Sequence, residues 1–158
     1  MEPIDPGKFK KAKIEAESFY REIWSVKCPY FREEVSFNAR GLEHIKFKTI
    51  RHARSQRDQY IRFRLISLAP QIIKDSHTLQ GVSTRKGFEY IKINSRWDTV
   101  MKTATYYEFV AVIKNSRVRV IVKQIEGSKK HFWSIIPFWK MDKITGKRLI
   151  HSGKPESD

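Results

Sequence analysis

At 158 residues with 40% apolar side chains, the chain is long enough for one domain with its own core. Its 32 Lys+Arg against 17 Asp+Glu leave a formal net charge of +15, a field that draws in polyanions, nucleic acid first among them. The single cysteine, Cys28, excludes an internal disulfide and a thiolate zinc cluster.

In chain order, residues 6 to about 27 read as a helix. Pro6 suits a first turn, Pro29 marks the end, and Ile14, Phe19, Ile23 and Trp24 recur at roughly helical spacing. Residues 34–37 read as a short edge strand, and Asn38 as an N-cap. A second helix is expected over 39–50, with Leu42, Ile45 and Thr49 on one face and His44, Lys48 and Arg51 on the other. On the same wheel His52 falls near Ile45 and Thr49, which gives it a core or capping role. A third helix is expected over 56–69, striped by Ile61, Leu65 and Leu68 and ended or kinked by Pro70. Residues 71–86 read as a loop anchored by Ile72 and Ile73.

The period then changes to two. Strands are expected over 88–93, 106–113, 117–125 and 131–136, joined by turns such as Asn115-Ser116 and Glu126-Gly127-Ser128. Short connections favour an antiparallel meander. The fold class is therefore α+β: N-terminal helices followed by a four-stranded antiparallel sheet, in one domain over 1–150 with a polar tail at 151–158.

Chemistry concentrates in two places. In the 117–125 strand, Val118, Val120 and Val122 point to a core, while Arg117, Arg119, Ile121 and Lys123 point the other way. Three cations on one face need anions or solvent, so that face is either a solvated surface or a phosphate-binding one. In the 41–52 segment, His44 is a candidate general acid or base, and Arg51 a group that balances charge on a pentavalent phosphate. Lys48 joins them as a phosphate contact. Ser134 sits in an otherwise apolar strand, where it orients a phosphate or is simply a packed hydroxyl. Tyr90, Trp97, Tyr106, Tyr107 and Trp133 are core aromatics by default and stacking platforms for an unpaired base otherwise. No P-loop, GxGxxG, nucleophile elbow or HExxH motif is present, and no cofactor or metal site is expected. What is left suits RNA cleavage, because the 2′-hydroxyl is a built-in nucleophile and needs only a base, an acid and cations.

The segment Asn38-Ala39-Arg40-Gly41-Leu42-Glu43-His44-Ile45, followed by Arg51-His52, resembles the phage-associated branch of the barnase–EndoU–colicin–RelE-like ribonucleases. The following helix ending in Leu68-Ala69-Pro70-Gln71-Ile72-Ile73 fits the same pattern. So does a last strand, Phe132-Trp133-Ser134-Ile135-Ile136-Pro137, preceded by Arg119-Val120-Ile121-Val122-Lys123. The resemblance covers roughly residues 35–140. It implies a metal-independent endoribonuclease, a toxin in conflict between bacteria, phages and plasmids, with RNA as substrate and an acidic antitoxin or immunity protein as partner. His44, Arg51, His52 and Ser134 match motif positions, and Lys123 matches more loosely. The rival readings are a non-catalytic nucleic-acid-binding module and a structural protein of a phage or mobile element.

The opening residues lack the order of a signal peptide, and no apolar run approaches the roughly 20 residues that span a bilayer. The expected setting is cytoplasmic, without membrane contact.

Overall fold

A computed structural model describes residues 2–113 and 116–137 of the chain. Asp5 caps the first helix, α1 (Pro6–Glu22), by accepting from the Lys8 amide at 2.9 Å, and Pro6 lies in its first turn. The helix ends five residues earlier than the pattern implies. Ile23 turns extended, and Ser25–Cys28 becomes a strand, β1, paired with β2 (Glu33–Ser36). The buried stripe of α1 is Ala12, Ala16 and Tyr20, whereas Ile14, Phe19 and Trp24 are exposed, Trp24 by 85%. α1 packs on α3, where Phe9 meets Phe63 edge-on at 5.9 Å.

Asn38 caps α2 (Ala39–Lys46), accepting from the Arg40 and Gly41 amides at 3.1 and 3.4 Å. Here the second helix expected to reach residue 50 is corrected: it stops at Lys46. Residues 47–53 instead form a small hairpin, β3 (Phe47–Thr49) and β4 (His52–Ala53), closed by the Arg54 amide on the Lys46 carbonyl at 2.8 Å. Ser55 then caps α3 (Gln56–Leu65) through the Asp58 amide at 3.2 Å. A 3-10 turn over Ile66–Leu68 leads into α4 (Ala69–Asp75). Pro70 thus begins a helix rather than ending one, since its missing N–H costs nothing in a first turn. Ile72 and Ile73 do anchor this segment, on a helix where a loop was expected.

The architecture is α+β. The four-stranded meander exists as β5 (Gly81–Ile93), β6 (Arg96–Ile113), β7 (Ser116–Ile125) and β8 (His131–Pro137), but it belongs to a larger, mixed sheet. The order is β1-β2-β8-β7-β6-β5, with β2 joined to β8 in parallel through Ser36 and His131. The 34–37 segment is therefore an interior strand, not an edge. Asn94 and Ser95 make the β5–β6 turn with φ of 49° and 66°, the two left-handed positions of a tight hairpin. Residue Asn115 and the tail from 138 onward lie outside the described residues.

Val118, Val120 and Val122 pack with Phe109, Phe132, Ile135 and the helices, as their alternation implies. The opposite face carries a smaller cluster of Ala104, Tyr106, Ile121 and Ile136 against Trp133. β7 covers β6 only from Ala104 to Ile113, so the β5–β6 ribbon continues past it as a two-stranded arm. Gly41 fixes α2 on β8: a Cβ there would lie 2.5 Å from both the Phe132 carbonyl oxygen and the Tyr20 hydroxyl. Tyr20 in turn donates to the Asn38 carbonyl at 2.5 Å. Gly41→Ala should cost about 1–3 kcal/mol in denaturant unfolding, because a backbone carbonyl cannot step aside; an unchanged midpoint would contradict this packing.

Candidate functional site

α2 ends with His44 turned inward, 4% exposed, its ring stacked on Trp133 at 4.0 Å and 18°. Arg54, just past the hairpin, holds it twice: Nε donates to the His44 carbonyl at 2.9 Å, and a terminal nitrogen lies 3.0 Å from Nε2. A guanidinium can only donate, so Nε2 accepts and the ring is neutral with its proton on Nδ1. Asp58 on α3 bridges Arg54 at 3.3 Å and Arg62 at 2.6 Å. Arg62 donates onward to the Ser134 hydroxyl at 2.7 Å and the Ile135 carbonyl at 3.2 Å. Helices α2 and α3 are in this way bolted to β8 by a buried run of charge-assisted hydrogen bonds.

On the strand side, Lys123 is 3% exposed and forms an ion pair with Glu89 at 2.9 Å. Its ammonium lies 4.1 Å over the Trp133 ring and 5.4 Å over that of Tyr106. Glu89 comes from the arm and also faces Arg40 of α2 at 3.9 Å, while Arg40 donates to the Tyr90 carbonyl. Trp133 is thus the hub: His44 from α2 and Lys123 from β7 both pack on it, and its neighbour Ser134 takes the bond from Arg62.

His44 and Lys123 are accordingly brought together on Trp133, and Ser134 is tied to His44 through Arg62, Asp58 and Arg54. The other sequence candidates are not. Lys48, Arg51 and His52 are exposed on the 47–53 hairpin, with Thr49 Oγ1 3.0 Å from His52 Nδ1. The shared face expected for His44, Lys48 and Arg51 is corrected, because the helix that would align them ends at Lys46. His52 does not lean toward the core; the extended backbone of β4 carries it outward. Arg117 is exposed, and Arg119 is bonded to Glu108 at 2.7 Å. The cationic face of β7 is therefore neither bare nor simply solvated: two carboxylates from β5 and β6 answer two of its three charges.

The residues that sequence reading missed are Arg40, Arg54, Asp58, Arg62, Glu89 and His131. A signal existed for three of them, since Arg54, Asp58 and Arg62 stand four apart and Ser55-Gln56-Arg57-Asp58 has the form of a capping box. His131 is 3% exposed, and its Nε2 has no hydrogen-bond partner among the described residues. Burial first, then the charges of Lys123 and Arg40, press its pKa down to about 3.

Among the described residues, no group of three or more His, Cys, Asp or Glu side chains is placed to hold a metal ion, and no helix is long and apolar enough to cross a membrane. Comparison with protein-family models, curated proteins and solved structures finds no match to this chain.

Proposed function

We propose that the chain is an endoribonuclease that cuts RNA without a metal ion, with its site around Trp133. The observation that carries this reading is the meeting of His44 and Lys123 on Trp133, with Ser134 next in the strand and bonded to Arg62, inside a chain of formal net charge +15. In the reaction the 2′-oxygen bonds the adjacent phosphorus as its proton passes to a base. The P–O5′ bond then breaks, and the 5′-oxygen takes up a proton. His44 is the proton-transferring side chain: Arg54 holds its neutral ring in one tautomer, and Nε2 takes the 2′-hydroxyl proton once the substrate displaces the Arg54 donor. Lys123 balances the charge of the pentavalent phosphate. Ser134 is a positioning residue that seats Arg62. Arg51, His52 and Lys48 lie outside this centre, and their exposed hairpin suits contacts along the RNA backbone, as does Arg117. A toxin of this kind would be held in check by an acidic antitoxin or immunity protein, which the charge of the chain would attract.

A second reading, a nucleic-acid-binding module without turnover, is favoured by one observation. His44, Lys123 and Ser134 are each at most 4% exposed and already bonded within the protein. Incubating the purified chain with RNA in EDTA separates the two. Fragments ending in 2′,3′-cyclic phosphate support the ribonuclease; salt-sensitive binding with intact RNA at high protein concentration rejects it. In either case, Lys48→Ala and Arg51→Ala should each weaken RNA binding a few-fold and lower the slope of log affinity against log salt by about 1. Unchanged slopes would remove the hairpin from the interface.

A further inference from the structure

The arm brings one carboxylate into a cationic corner. Glu89 places one oxygen 2.9 Å from the Lys123 ammonium and the other 3.9 Å from the Arg40 guanidinium. Lys123 is the cross-strand partner of His131, and both cations act electrostatically on the His131 ring. That ring stands edge-on to Trp133 at 6.1 Å. The Lys129 backbone bond that favours its charged form is one in which the ring N–H donates to the carbonyl. The remaining nitrogen, Nε2, is then a buried acceptor with no donor among the described residues. A buried acceptor of this kind costs free energy until something donates to it. The corner thus offers two cations to an anion and one lone pair to a hydroxyl.

We propose that Arg40, Lys123 and His131 form a ribonucleotide site, in which a phosphate takes the place of the Glu89 carboxylate and the neighbouring ribose 2′-hydroxyl donates to His131 Nε2. A carboxylate and a phosphate present similar oxygens to the same two cations, so Glu89 acts as an internal competitor. The hydroxyl is the group that separates RNA from DNA, so the site prefers RNA. This deepens the ribonuclease reading by placing the phosphate, yet ribonucleotide binding stands or falls without turnover.

The test uses the full chain with uridine 3′-phosphate and its 2′-deoxy analogue, titrated by calorimetry. Glu89→Gln should bind the ribonucleotide about 10-fold more tightly than the unmodified chain, since one competing charge is gone. The deoxy analogue should bind Glu89→Gln several-fold more weakly than the ribonucleotide, and His131→Phe in that background should erase the difference. Imidazole nitrogen shifts of His131 in the unmodified chain, on saturating ribonucleotide, give the same answer should a variant fail to fold. Equal affinity for the two nucleotides, or an unmoved His131 resonance, overturns the site. Ribonucleotide binding with uncut RNA leaves the site standing and rejects the ribonuclease; cut RNA with no ribose preference does the reverse.

Discussion

Asp58→Ala should lower the stability of the chain by about 3–5 kcal/mol, a drop of roughly 10 °C in melting temperature for a domain of this size. Asp58 is the carboxylate shared by Arg54 and Arg62, whose side chains are 1% and 4% exposed. Removing it takes from two buried guanidiniums the carboxylate they share, and deleting one member of a buried ion pair costs far more than the pair contributes. The damage does not stop there. Arg54 fixes His44, and Arg62 fixes Ser134, so both sides of the Trp133 centre loosen at once. Asp58→Asn keeps the shape but only one of the two acceptor oxygens, and turns an amide N–H toward the other guanidinium, so it should still cost about 2–3 kcal/mol. Thermal unfolding followed by circular dichroism decides the matter: a melting temperature for Asp58→Ala within about 2 °C of the parent would show that the bridge carries little of the fold.

The α+β class, the Asn38 cap, the core valines of β7 and the meander could all be read from local signals, because each depends on residues close in sequence. Elements whose fate is decided by distant partners could not. Residues 25–28 read as the end of a helix, yet Val26 and Cys28 alternate with Lys27 as well as they fit a helix, and pairing with β2 settles the choice. Residues 47–53 carry a helical polar face in Lys48 and Arg51, but Phe47, Thr49 and Ile50 have low helix propensity, and the Arg54 amide draws the chain back on Lys46. The site follows the same rule. His44, Lys123 and Ser134 were visible as single residues of suitable chemistry. Their counter-charges were not, because Glu89 is 34 positions from Lys123 and meets it only when the arm reaches beyond β7. Helical phase also misled: an ideal wheel joins His44 to Arg51, and a helix break of four residues undoes that.

His131 predicts a pH dependence of stability with a definite sign. In the folded chain its pKa is depressed to about 3, from 6.5 for an unperturbed imidazole. Between these values the unfolded chain binds a proton that the folded chain refuses. Stability from this residue is therefore fully present above about pH 6.5 and is lost as the pH falls toward 3. The loss should reach about 3 kcal/mol by pH 4. Glu17, whose pKa is lowered chiefly by its hydrogen bond to Lys46, adds acid sensitivity of the same sign, so total acid lability does not isolate His131. The difference between the parent and His131→Phe does, since Glu17 titrates alike in both. Urea unfolding at pH 7 and pH 4 should show the parent losing about 3 kcal/mol more than the variant. The groups that act on the ring, Lys123 from β7 and Arg40 from α2, are present in both proteins, so the contrast belongs to the imidazole. Equal losses in the two proteins would mean that His131 meets water in the folded state, and that its Nε2 is not a buried acceptor waiting for a donor.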